Sequence, residues 1–313
     1  MPGRLLGCCA LSDQTVHSRR SFFALAAVAL CWGYSWVFNK LALLDAGPLS
    51  FSAYRMLLAA AALVSLLKIT GRPVWPARVP ELLLLGLIQT TGFVSLSMWA
   101  LVTGAVGTTS ILVFTMPFWT LLFAWPMLGE RIEGLQWLAV VSAALGLTII
   151  LHPWHLEGSL NSKLLALGAA ILWAAGSIIV KRMQAKAPVE LLSLTAWQIT
   201  FGAIPLAGIA WLAGEPPIHW TPRFIGVLLG TSLISTALGW LIWLYALRRV
   251  TAGIAGMSML AVPVIAGLSS AWHFHERPTT DEARGMILIG VALVLVGIHA
   301  WRRHRDVTPL AQE

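Results

Sequence analysis

Residues 100–131, ALVTGAVGTTSILVFTMPFWTLLFAWPMLGER, recur in outline at residues 246–277, ALRRVTAGIAGMSMLAVPVIAGLSSAWHFHER. Ala100-Leu101, Gly107, Pro117, Leu122 and Glu130-Arg131 match Ala246-Leu247, Gly253, Pro263, Leu268 and Glu276-Arg277, each pair 146 residues apart. Working outward, five apolar segments fall in each half of the chain. Five is odd, so if each segment crosses a bilayer the second half sits upside down relative to the first. The fold expected is therefore all-α and integral to the membrane, with ten transmembrane helices as two inverted five-helix repeats. That plan places two similar gates on opposite sides of one site, as secondary transporters require.

Composition agrees. The chain has 313 residues, 58% of them hydrophobic and 11% charged, with a mean hydropathy of +0.79. A soluble domain carries roughly 25% charged residues, and so much apolar surface needs lipid as its solvent. The net charge of +8 does not mark a nucleic-acid partner, because Lys and Arg sit in short clusters between apolar runs rather than on one patch. Cys8, Cys9 and Cys31 form neither a metal spacing nor a disulfide framework.

The expected spans are 21–42, 49–68, 82–102, 106–128, 134–151, 163–181, 191–213, 223–247, 251–272 and 284–301. They divide the chain into a polar, disordered leader (1–20), a first repeat (21–151), a second repeat (160–302) and a tail (303–313). With alternating sides, fifteen Lys and Arg fall on one face, among them Arg19, Arg20, Arg72, Arg78, Arg182, Arg248 and Arg249. Four fall on the other: Lys163, Arg223, Arg277 and Arg284. The richer face is cytoplasmic by the positive-inside rule, which puts both termini there.

Few polar residues interrupt the spans. Trp32, Asn39 and Lys40 lie on the first, and Trp173 and Lys181 on the sixth. Arg55 lies in the second, where an arginine must face the bundle or water; Asp45, helix-end carbonyls and a substrate carboxylate are all candidate partners. Gln89, Thr90, Thr91 and Ser95 on the third span, Gln198 on the seventh, and Ser232, Ser235, Thr236, Trp240 and Tyr245 on the eighth suggest a polar path through the bundle. The substrate-cavity candidates are Trp32, Asn39, Lys40, Arg55, Gln89, Trp173, Trp240 and Tyr245. Pro117 and Pro263 remove a backbone donor in the middle of a span and are the candidate gate or hinge. Glu130, Arg131, Glu276 and Arg277 form a structural motif, its glutamates expected to favour the start of the following helix. No Asp or Glu lies in the middle of any span, which argues against a cation carrier working through one buried carboxylate and favours anionic or zwitterionic substrates. His273 and His275 beside Glu276 lack a metal-site pattern, so no metal and no cofactor is expected. Nucleotide-loop and hydrolase motifs are absent from the sequence, which argues against an enzyme.

These features resemble the drug/metabolite transporter superfamily, specifically chains with two EamA-type repeats. The resemblance rests on Trp32-Gly-Tyr-Ser-Trp-Val-Phe-Asn-Lys40, Tyr54-Arg-Met-Leu-Leu-Ala-Ala60, Leu128-Gly-Glu-Arg131, and Val262-Pro263 through His275-Glu-Arg277. It implies a ten-helix carrier of the bacterial inner membrane, exporting a small metabolite such as an amino acid by alternating access. A multidrug efflux carrier is the alternative, and a non-transporting membrane protein or enzyme a more distant one. The expected partners are the small-molecule substrate and the lipid bilayer, with a homodimer compatible.

Overall fold

The computed structural model describes residues 6–129, 131–151, 160–247, 259 and 261–307. Among the described residues the chain is helical, in ten rods: α1 (Leu6–Ala42), α2 (Pro48–Ile69), α3 (Val79–Thr103), α4 (Val106–Leu128), α5 (Leu135–Leu151), α6 (Leu160–Lys186), α7 (Leu191–Leu212), α8 (222–247), α9 (Ala261–Phe274) and α10 (Thr280–Val307). Seven of them are long and apolar enough to cross a membrane, and α5 and α9 are shorter apolar helices. The first ten residues of the expected ninth span lie almost wholly outside the described residues.

One boundary corrects the sequence reading. Helical backbone reaches back to Leu6, into the leader expected to be disordered. After Gly7 that stretch holds no proline or glycine, and a helix already nucleated by its apolar part extends at little cost per residue.

The helices pair across the two halves. α1 packs on α9 and α8, and α6 packs on α4 and α3. α2 meets α7, α4 meets α9, and α5 meets α10. Exchanging each helix for the one five places later leaves this set of pairs unchanged. Glycine permits the closest crossings. A Cβ on Gly146 of α5 would lie 2.7 Å from the Gly285 carbonyl of α10, and the Ser142 hydroxyl donates to Leu288 O at 3.0 Å beside it. Small residues at such crossings let backbones approach where lipid supplies no hydrophobic force between helices.

Outward faces are apolar. Leu138, Val141 and Leu145 on α5, and Ile287, Val291 and Val294 on α10, are large, exposed and spaced along one helical stripe. In water such patches would promote association, whereas against acyl chains they are the expected surface.

Two helices depart from regular geometry. α3 carries a π-helical stretch at Gly86–Gly92 and α8 one at Gly230–Leu238. Both stretches begin with glycine, and the first contains two and the second four hydroxyl residues, poor formers of a plain α-helix. α4 is interrupted at Phe114–Thr115. Pro117 has no N–H for the Val113 carbonyl, and its ring crowds that carbonyl, so the break falls one turn ahead of it.

Ion pairs mark the two ends of the bundle. At one end Asp45 takes Arg223 Nη2 at 2.8 Å, Lys163 meets Glu282 at 3.3 Å, and Glu215 accepts the backbone N–H groups of Leu49 and Ser50 at 3.0 and 2.7 Å. The last contact satisfies donors at the start of α2, which its own turn cannot pair. At the other end Arg72 pairs with Glu190, and Arg78 donates to Glu81 and to Met183 O, each at 2.7 Å.

Candidate functional site

A cavity of about 530 Å³ lies among α1, α2, α3, α4, α6, α7, α8, α9 and α10. Each helix contributes through its own periodicity. Trp32, Trp36 and Asn39 follow one another along α1, and Gln89, Phe93 and Ser97 along α3; steps of three or four residues put each set on one face. Arg55 comes from α2, Pro117 from the broken α4, Trp173 from α6, Gln198 from α7, and Trp240 and Trp243 from α8.

Aromatic rings form a continuous arc. Trp243 lies 5.9 Å from Trp32, Trp32 lies 5.8 Å from Trp240 at 61°, Trp240 lies 6.2 Å from Trp173, and Trp173 lies 4.7 Å from Phe93. The π stretch of α8 fixes one member, because the Trp32 indole N–H donates to Ser235 O at 2.9 Å. A π-bulge leaves a carbonyl outside the regular ladder, and bulges of this kind recur at functional sites. The π stretch of α3 carries Gln89, whose amide donates to Trp173 O at 3.0 Å and accepts from Gln198 Nε2 at 3.0 Å. Gly176 makes room for Gln89; a Cβ there would lie 2.2 Å from Gln89 Cγ.

Arg55 and Lys181 are the charged side chains on this wall, and among the described residues no carboxylate joins them. The Arg55 Nη1 reaches Asn39 Oδ1 at 3.4 Å, and its guanidinium lies 5.7 Å from the centre of the Phe51 ring. Its Nε is buried without a hydrogen bond. Asp45, a partner the sequence allowed, is taken by Arg223 and Thr221 instead.

Of the eight cavity candidates, the cavity thus gathers Trp32, Asn39, Arg55, Gln89, Trp173 and Trp240. Lys40 does not reach it. Its ammonium donates to Leu101 O at 2.5 Å and Gly104 O at 2.9 Å, capping the end of α3 where carbonyls lack partners. The Tyr245 side chain and Glu130 lie outside the described residues. Pro117 lines the cavity, while Pro263 is buried in α9 beside the lining residue Val262. Arg131 and Arg277 are exposed. Glu276 serves a different helix from the one expected. It accepts the Val106 N–H at 2.8 Å and the Ser270 hydroxyl, so it caps α4 of the other half rather than α10. α9 packs directly on α4, which brings this carboxylate to orphan donors that sequence order hides. Sequence reading passed over Phe93, Ser97 and Trp243; the four-residue spacing from Gln89 is the signal that points to the first two.

A polytopic helical bundle with apolar outer faces and an internal cavity, walled by aromatic and amide side chains, defines a multi-pass membrane protein of the transporter class. The chain belongs to the EamA-like transporter family, whose model matches residues 19–152 and again residues 161–298. It is 26% identical over 280 residues to the uncharacterized transporter YoaV of Bacillus subtilis, covering 88% of this chain and 94% of that one. A relative in Salmonella typhimurium described as a probable amino-acid metabolite efflux pump is 28% identical over 304 residues, covering 90% and 94%. A solved structure described only as a crystal structure of a protein superposes with a TM-score of 0.62 at 17% identity, covering 91% of this chain and 98% of the other, and is evidence of the shared fold alone. Family and relatives alike indicate a transporter rather than an enzyme.

Proposed function

We propose that the protein exports a small amino acid or related zwitterion across the bacterial inner membrane by alternating access between two inverted five-helix halves. The observation that carries this reading is the cavity itself: a space within the usual size range of small-molecule sites, roughly 300–1,000 Å³, with a buried guanidinium and no carboxylate on its described wall. The matched pairs of helices, the π stretches at similar places in α3 and α8, and the two family matches support the inverted repeat. Trp32, Asn39, Arg55, Gln89, Trp173 and Trp240 contact substrate, and the Pro117 and Pro263 helices flex as the halves rock. The relative described as a probable amino-acid metabolite efflux pump supports the substrate class.

Flux in proteoliposomes against a panel of amino acids tests the reading. Amino-acid flux is expected, and efflux of cationic dyes with no amino-acid movement overturns it in favour of a multidrug carrier. The topology has its own check. Reporter fusions at the N-terminus and at the Arg248-Arg249 turn are expected to report the cytoplasmic side together, with a fusion near Gly214 reporting the opposite side. Opposite answers from the first two positions end the inverted-repeat reading.

A further inference from the structure

Three buried side-chain atoms among the described residues make no hydrogen bond: Arg55 Nε, Ser97 Oγ and His299 Nε2. The first two belong to residues that line the same cavity, on helices in contact, since α2 packs against the Phe93–Thr103 stretch of α3. Both atoms can donate. Both atoms are themselves covered in this conformation; a buried donor left unmet is costly, so two of them on residues that line one cavity reward an acceptor that a small side-chain rotation lets the ligand supply. A carboxylate is the natural acceptor for a guanidinium N–H and a hydroxyl together.

The other half of the ligand is set by the aromatic arc. Trp32 lies seven residues before Asn39, the residue that touches Arg55. Two helical turns put Trp32 on the same face and about 10 Å along the axis. A hydrogen bond of ~3 Å at one end and a cation–ring approach of up to ~6 Å at the other leave only a short spacer between carboxylate and cation. The wall also discriminates between cations. Its acceptors are neutral: Gln89 Oε1, Asn39 Oδ1 and Ser235 O each take one hydrogen bond and keep a second lone pair, and the Ser35, Thr120 and Thr236 hydroxyls can also accept. A primary ammonium brings three N–H donors and finds no carboxylate on the described wall. A quaternary ammonium brings none and is held by ring faces alone.

Building on the transport function above, we propose that the cavity takes a short zwitterion of the trimethylammonio-carboxylate (betaine) class. Its carboxylate sits on Arg55 Nε and Ser97 Oγ, and its quaternary nitrogen lies within the arc of Trp32, Trp240 and Trp173.

Counterflow of radiolabelled glycine betaine into proteoliposomes carrying the full chain tests this, with choline, leucine and tert-butylacetate as competitors. Tert-butylacetate is the same shape with carbon in place of the charged nitrogen, and choline keeps the cation without the carboxylate. Each is expected to compete at least about tenfold more weakly than glycine betaine. Ser97→Ala is expected to weaken glycine betaine and tert-butylacetate together by about tenfold and to leave choline competition and the melting temperature unchanged. Tert-butylacetate competing as well as glycine betaine overturns the proposal, because the rings would then read shape and not charge. Leucine counterflow without betaine counterflow also overturns it and leaves the transport reading standing. Counterflow of neither, from protein that elutes as a single folded species, removes both.

Discussion

Gly202→Leu is expected to leave no monodisperse protein after detergent extraction. A Cβ at this position would lie 2.3 Å from Thr90 Cβ and 2.4 Å from the Gly86 carbonyl of α3. The second neighbour is backbone and cannot swing aside, so α7 has to retreat as a whole. That retreat breaks the bond from the Thr91 hydroxyl to Gly202 O at 2.7 Å and the amide bond between Gln198 and Gln89. Overpacking that can relax costs roughly 1–3 kcal/mol, and here the added cost of two buried hydrogen bonds comes on top, against a total stability of about 5–15 kcal/mol. Gly208→Leu, on the same helix, is the control. Nothing lies within 4 Å of its added Cβ, and its elution profile should match the parent. A folded Gly202→Leu protein with parental melting temperature would mean that α3 and α7 do not cross this closely.

Arg55→Gln should do the reverse, sparing the fold and removing transport. The guanidinium has one long contact to Asn39 and an unpaired Nε, so its charge is poorly compensated by the protein alone. Burying such a charge within a membrane costs several kcal/mol, and a neutral amide relieves that cost. The melting temperature should therefore hold or rise. Binding of a carboxylate substrate should fall by about 2–5 kcal/mol, a loss of roughly 30-fold or more. Flux at fixed substrate concentration and a melting curve in the same detergent measure the two sides. Wild-type flux in the variant would make Arg55 a structural residue, and a collapse of stability would say the same by another route.

The helices were legible in the sequence because lipid imposes a long, uninterrupted apolar run on each one. Eight of the ten expected spans coincide with described helices to within about six residues at each end, the first helix begins well ahead of its expected start, and glycine, proline and charge mark most ends. Trp32, Asn39, Arg55 and Gln89 stood out for a related reason: a polar or large amphipathic group deep in a span needs something to face. Their partners were not legible. Arg55 bonds Asn39 and not Asp45, because Arg223, in the first turn of α8, claims Asp45 first. Glu276 caps α4, from the other half, and Lys40 caps α3. Each depends on which helix ends meet in space, and a single sequence does not encode that by spacing. The π stretches were also hidden. Gly86–Gly92 reads as an ordinary if weak helix, and its extra residue follows from the close crossing with α7 and the amide bond to Gln198.

Timing during synthesis gives the α5–α10 contact a further meaning. Roughly 130 residues separate Leu151 from Thr280, so at ~5–20 residues per second the fifth span waits about 6–26 s for its mate. Through that interval the groove at Gly146 lies bare in the bilayer, open to whichever helix passes. A nascent chain stalled before residue 280 leaves α5 without this partner, so it is α10, made in the second half, that closes the first.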